Sequence, residues 1–310
     1  TGLWDANVDD APVIALTGQV CTQWLGRESF QEVDLRGAFG GVAASSASLL
    51  PGSDPGELAA RAMRSAVLNE GVAHLVFPDE VQELPADGAK PSSPKGRMPD
   101  RVVRPSDESL AAAVDALRGA SRPVFIVGHG ARSGRGEVIA LAEQLGCPVL
   151  TTFKAKGLIA DAHPLGGGVL GRSGTPIASW FMNEADLLVV WGASFSKHTG
   201  ITPKKTTLHV DRDPRALGNR FGVDHMLQSD IGVAAALLGE ALSEGPVAGV
   251  DHRAQLAERW TLWRAEKARR EDETRGQGIH SATVFASMTR EVPEDAIIAV
   301  DVGNNTYSFG

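Results

Sequence analysis

The residues best suited to chemistry in this sequence stand in short clusters, each just after an apolar run. Residues 123–127 (PVFIV) lead into Gly128, His129, Gly130 and Ala131. Glycine there lets backbone amides approach a phosphate without a Cβ in the way. Residues 148–152 end in Thr151 and Thr152, followed by Lys154 and Lys156, so two hydroxyls and two ammonium groups suited to a diphosphate share one strand end. Residues 166–175 (GGGVLGRSGT) read as a flexible loop feeding a helix whose N-terminus could face an anion. The run DLLVVW is followed by Gly192, Ala193, Ser194, Phe195, Ser196 and Lys197, and TLHV by Asp211, Arg212 and Asp213. A carboxylate at such a position can accept from ribose hydroxyls or an adenine amino group. Asp230 and Ile231 close a last short run at 226–228. Five strand ends bearing glycine, hydroxyl or carboxylate groups point to nucleotide binding. The ordinary dinucleotide fingerprint is absent: Gly128 and Gly130 fit its first two glycines, but Ser133 holds the third place and glycine returns only at 134. His129 and His198 lack any partner motif and read as structural or as ligand-edge groups.

Elements must carry these clusters to one place. Strand-like runs at 73–77, 123–127, 148–152, 186–191, 207–210 and 226–228 alternate with helical stretches at 55–68, 107–117, 138–145 and 177–184. Ser53, Asp54 and Pro55 supply a cap and a first-turn proline for the earliest of these helices. Residues 11–20 read as a buried parallel strand, 35–50 carry small residues at helix-compatible spacing, and 297–300 (IIAV) read as a final strand. The alternation predicts an α/β protein built on doubly wound parallel sheets. Such sheets bind ligands outside the carboxyl ends of their strands, which is where the clusters fall. Pro85, Pro91, Pro94, Pro99 and Pro105 mark 85–104 as a linker. The resulting division is 1–84, a linker, a central domain at 105–245, a linker helix within 246–279 that docks Trp260 and Trp263, and a further block at 280–310.

Composition removes other classes. The net charge is −8 and no basic tract occurs, so nucleic acid is not an expected partner. Aromatics are only 5% against 35 glycines, which suits a Val/Ala/Leu-packed α/β core. No apolar run approaches the ~20 residues that cross a bilayer, so membrane contact is not expected. Cys21 and Cys147 stand in apolar stretches and read as buried reduced thiols, which suits the cytoplasm. The chain opens on TGLWDA, as if inside a helix, and closes on DVGNNTYSFG, a turn that should feed one; this predicts a segment of a longer protein.

The ordered set of motifs resembles the thiamine-diphosphate-dependent enzymes of the acetolactate synthase and pyruvate oxidase family. TGL.DA, PVIALTGQV and SFQEVD resemble the second half of that family's pyrimidine-binding domain. ADLLVVWGASF, LHVDRDP and QSDI resemble its central domain, and PEDAIIAVDVGNNTYSFG the start of its diphosphate-binding domain. The resemblance implies thiamine diphosphate, Mg²⁺ and FAD as cofactors, a 2-oxo acid such as pyruvate as substrate, and a homodimer or homotetramer. It puts the family's activating glutamate upstream of Thr1 and its metal-binding motif downstream of Gly310, so no catalytic or metal-binding residue is assigned within the chain. It implies Gln31 near the thiamine, and Gly303, Asn304 and Asn305 at the diphosphate turn. For FAD it implies Gly128, Gly130, Ala131, Thr152, Lys154, Lys156, Leu170, Gly171, Gly174, Gly192, Ser194, Phe195, Asp211, Arg212, Asp230 and Ile231.

Acetolactate synthases carry Gln-His where this chain has Asn304-Asn305, and Arg-Phe-Asp-Asp-Arg where it has Ser194-Phe195-Ser196-Lys197-His198. The departure at 194–198, together with Asn69-Glu70-Gly71-Val72 before a strand where acetolactate synthases carry Arg-Pro-Gly-Pro, leans toward the pyruvate oxidase and pyruvate:quinone dehydrogenase branch, which hands two electrons to FAD. The alternatives are an acetolactate synthase-type carboligase and, from another class, a non-catalytic nucleotide-binding homologue. The latter would account for 105–245 but not for SFQEVD or DVGNN.

Overall fold

The computed structural model describes residues 1–85, 93, 95–271, 276–293, 295–301 and 303–309, and it divides into two compact units, Thr1–Arg101 and Val102–Gly310. Pro91, Pro94 and most of the linker's first half lie outside the described residues.

In the first unit the order is α1 (Gly2–Val8), β1 (Val13–Gln19), α2 (Leu35–Phe39), β2 (Ala43–Ser48), α3 (Pro55–Asn69), β3 (Val72–Pro78) and α4 (Asp79–Gln82). The strands form a parallel sheet in the order β1-β3-β2. β3 takes the centre because its near-continuous apolar run can be buried on both faces. Asp54 starts α3 by accepting from Glu57 N at 3.0 Å, and Ala60, Ala62 and Ala66 form its buried side. Two expectations fail here. β1 is parallel but only half-buried, with Leu16 64% exposed, because it lies at the sheet edge. Residues 43–48 are a strand rather than part of a helix: AASSAS has weak preferences of its own, and pairing with β3 decides its state.

The second unit runs α5 (Asp107–Gly119), β4 (Pro123–Val127), α6 (Arg135–Leu145), β5 (Val149–Thr151), β6 (Gly166–Val169), α7 (Pro176–Glu184), β7 (Leu187–Trp191), β8 (Thr206–Asp211), β9 (His225–Gln228), α8 (Ile231–Ser243), α9 (Arg253–Glu271), α10 (Ser281–Glu291) and α11 (Asn304–Phe309). Its six strands are all parallel, in the order β6-β5-β4-β7-β8-β9. The chain winds outward from β4 to β6, then returns and winds the other way from β7. Right-handed crossovers therefore put α6 and α7 on opposite faces, and α8 packs beside α6. The core holds Phe125, Ile126, Leu150, Leu188, Trp191, Leu208, Leu227 and Leu238, each at most 2% exposed.

β6 was not expected as a strand. Its glycines are what allow it: a Cβ on Gly166 would lie 2.6 Å from Ala160 O, and one on Gly167 2.4 Å from Leu150 Cδ2. The charged helix α9 docks as the sequence suggests, with Trp260 buried and its Nε1 donating to Gly166 O at 2.7 Å. Trp260→Phe keeps most of the ring but leaves that carbonyl without its partner. A stability loss of about 1–2 kcal/mol is expected, and an unchanged urea midpoint would refute it. Residues 297–300 are not a strand: Ile297 is fully exposed and these residues join no sheet. A four-residue apolar run cannot hold a strand without a neighbour to pair with. Cys147 is buried, and burial pushes its thiol far up, whereas Cys21 is only half-buried; both are free thiols.

Three histidines are buried: His74 in the first unit, and His209 and His252 in the second. Burial lowers all three, His209 to about 4. The unfolded chain binds more protons than the folded one between pH 4 and 6.5, so stability falls as pH drops through that window. Urea midpoints at pH 7, 6, 5 and 4 should decline across it; a flat profile above pH 5 would contradict this.

Candidate functional site

The winding direction reverses between β4 and β7, and the two strand ends cross there on glycine. Gly128 N donates to Trp191 O at 2.8 Å, and Gly130 N to Gly192 O at 3.0 Å. A Cβ on Gly128 would lie 2.1 Å from Gly192 O, and one on Gly192, which is left-handed at φ +54, would lie 2.8 Å from Ala131 N. No other residue type fits Gly128. Ala131 is fully buried just beyond it. At Gly134, which precedes α6, a Cβ would lie 2.2 Å from the amide nitrogen of Gly232, in the first turn of α8. The first turns of α6 and α8 thus pack closely against each other beside the crossing.

Two further strand ends are seamed onto this edge. Thr152 N donates to Val127 O at 2.9 Å, which places Thr152 next to Gly128. Lys154 is exposed in the short turn that follows, and Lys156 is half-buried, 3.4 Å from Asp161 and 5.6 Å over the Phe309 ring. Residues 166–175 are not an open loop but strand β6 and a hydrogen-bonded turn. Leu170 N donates to Thr151 O at 2.8 Å, Arg172 N to His198 O at 2.9 Å, and Thr175 Oγ1 accepts from Ala178 N at 3.1 Å to cap α7. A Cβ would lie 2.1 Å from His198 O at Gly171 and 2.2 Å from Val169 O at Gly174, so both glycines serve close packing of this loop against its surroundings.

On the other side of the reversal, Ser194 is exposed and Phe195 is left-handed at φ +52. The Phe195 ring meets those of His209 at 4.6 Å and Phe221 at 5.1 Å. Asp211 accepts from Asp213 N at 3.0 Å. Asp230 accepts from Val103 N at 2.7 Å through one carboxylate oxygen, while the other lies 4.0 Å from Arg212 Nε. Val103 O in turn accepts from Asp230 N at 3.0 Å and from Ser229 Oγ at 3.1 Å. The incoming segment therefore occupies an oxygen of a carboxylate that the sequence had suggested for a ligand. Ile231 is buried as the first residue of α8.

The structure thus gathers Gly128, Gly130, Ala131, Thr152 and Gly192 at the reversal, with the loops bearing Leu170, Gly171, Gly174, Ser194 and Phe195 along the same edge. Lys154, Lys156, Asp211, Arg212, Asp230 and Ile231 follow the carboxyl ends of their own strands. Gln31 belongs to the first unit, exposed and left-handed at φ +66. Gly303 donates through its amide to Thr306 Oγ1 at 3.1 Å, and the side chains of Asn304 and Asn305 lie outside the described residues. Sequence reading missed Val103 and His209. The only signal for His209 was an imidazole inside an apolar run, two residues before Asp211.

Residues 110–238 match the model of the thiamine pyrophosphate enzyme central domain. The chain is 30% identical to the acetolactate synthase large subunit of Corynebacterium glutamicum, over 98% of the chain and 50% of that protein. It is 32% identical to a probable acetolactate synthase large subunit of Methanococcus aeolicus, over 79% and 42%. It is 28% identical to the pyruvate oxidase of Lactiplantibacillus plantarum, over 98% and 50%. The chain spans about half the length of these curated relatives. With the glycine crossing inside the matched region and the similarity running through both units, the chain belongs to the thiamine-diphosphate-dependent enzyme family that includes acetolactate synthases and pyruvate oxidases.

Proposed function

We propose that the whole protein decarboxylates a 2-oxo acid, with pyruvate as the first candidate, and that the crevice at the sheet reversal holds FAD. The observation that carries the flavin reading is the glycine crossing. At Gly128 and Gly192 any Cβ would strike backbone, so two strand ends close on glycine at the point where a doubly wound sheet opens its ligand crevice. The residues present fit a dinucleotide: Gly128, Gly130 and Ala131 offer close backbone approach, Thr152, Lys154 and Lys156 suit the diphosphate, and Asp211 suits a ribose or the adenine amino group. Thiamine diphosphate, when bound, supplies the electron sink for loss of CO₂.

Two outcomes for the electrons remain, and each has a relative behind it. The segment Ser194-Phe195-Ser196-Lys197-His198 favours transfer to FAD, as in a pyruvate oxidase or pyruvate:quinone dehydrogenase. Relatives of 30–32% identity are named acetolactate synthases, which favours addition to a second 2-oxo acid. The deciding experiment supplies the full-length enzyme with thiamine diphosphate, Mg²⁺, FAD and pyruvate under anaerobic conditions. Bleaching of the flavin absorbance supports the oxidase; acetolactate without bleaching supports the carboligase. Tight flavin binding with neither outcome would support the non-catalytic homologue.

A further inference from the structure

One buried titratable side chain at the crevice takes no part in that assignment. His209 lies on β8 two residues before Asp211, so both side chains stand on the same face of the sheet. It is 1% exposed. Its Nδ1 accepts from Gly218 N at 3.4 Å, which leaves the proton of the neutral ring on Nε2. Burial keeps the ring neutral. Nε2 has no hydrogen-bond partner among the described residues.

The same imidazole meets the Phe195 ring at 4.6 Å, and Phe195 meets Phe221 at 5.1 Å. One side chain therefore joins three pieces of the crevice: β8, the loop after β7, and the helix-free segment 212–222 that follows Asp211. Phe195 is left-handed without being glycine, a conformation that persists only when the surroundings hold it. Gly218 is also left-handed, at φ +65, and a Cβ there would lie 2.6 Å from Met226 Cε. Met226 is the cross-strand neighbour of His209 on β9, so the Gly218 turn closes over this pair.

We propose that His209 is a positioning residue that holds Phe195 and the Gly218 turn as one wall of the nucleotide crevice. The ring does so by accepting the Gly218 amide at Nδ1 and by packing edge-on against Phe195. The role rests on the reading of the crevice as a nucleotide site, and its first readout is independent of any ligand.

The test compares wild type with His209→Asn and His209→Leu by amide hydrogen exchange and by flavin fluorescence titration. Asn keeps an acceptor near the Nδ1 position; Leu removes it. Gly218 protection should fall about five-fold or more in the Leu variant, the loss of one net hydrogen bond, and return in the Asn variant. FAD affinity should follow the same order, weakened about three- to five-fold by Leu and rescued by Asn. Equal Gly218 protection in the two variants would overturn the proposal. Should His209→Leu fail to fold, wild type still decides: a Gly218 amide that exchanges as fast as an open one overturns it, and protection lost in step with that of β8 supports it. Should wild type take up no FAD while Gly218 protection still depends on His209, the nucleotide reading falls and the positioning of the wall stands.

Discussion

Gly128→Ala is expected to destabilise the chain by about 3 kcal/mol, the upper end of what overpacking ordinarily costs. The new methyl would lie 2.1 Å from Gly192 O, 2.5 Å from Ala193 Cα and 2.6 Å from Ala193 Cβ. Two of those three atoms are backbone, held by the Gly128 N to Trp191 O and Gly130 N to Gly192 O hydrogen bonds, so neither strand end can move aside without breaking them. Gly136→Ala is the control. Nothing lies within 4 Å of a Cβ there, and the residue is in the first turn of α6, so the same added methyl should stabilise by up to about 0.5 kcal/mol. Urea unfolding of the two variants measures both. Equal midpoints would mean that the crossing is looser than its geometry states.

Lys154→Ala is expected to weaken FAD binding roughly tenfold, equivalent to about 1.4 kcal/mol. A hydrogen bond between an ammonium and a phosphate contributes about 1.5–3 kcal/mol where water is partly excluded. Lys154 is exposed, so the lower end of that range applies, and the effect should shrink as salt is raised. Asp211→Ala should weaken binding as well; its carboxylate accepts from Asp213 N, two residues on in the same turn. Asp230→Ala should behave differently. Its carboxylate holds Val103 N at 2.7 Å, so the loss should appear in stability before it appears in flavin affinity. Flavin fluorescence titration of the full-length enzyme and the three variants separates these effects. Unchanged affinity in both the Lys154 and Asp211 variants would remove FAD from the proposed function.

The parallel α/β architecture, the central strands and the clusters at their carboxyl ends were legible from the residues alone, because each rests on a local signal. Runs such as DLLVVW and PVFIV can be buried on both faces only in a parallel sheet, and Gly128, Gly192 and Asp211 punctuate such runs directly. Asp54 and Pro55 start α3 by chemistry contained within four residues. What lay beyond reach depends on partners distant in the chain. AASSAS becomes β2 because β3 offers it a ladder, and GGGV becomes β6 because its bare backbone fits against Leu150 and Trp260, about a hundred residues from the latter. IIAV has the composition of a strand but pairs with no strand among the described residues.

The site divides in the same way. That Gly128 and Gly192 are glycines is a sequence fact; that they cross each other, 64 positions apart, follows from β7 pairing with β4 rather than with β6. Asp230 read as a ligand carboxylate because it follows a strand, but the fold lays Val103 against it, 127 residues earlier in the chain. His209 gave almost no signal, since its role arises from Phe195 and Gly218 closing over it. Local propensity and hydrophobic runs are properties of neighbours along the chain and can be read there. Strand order, and with it which strand ends share a crevice, is set by how the whole sheet buries its apolar area, and only the tertiary structure decides that.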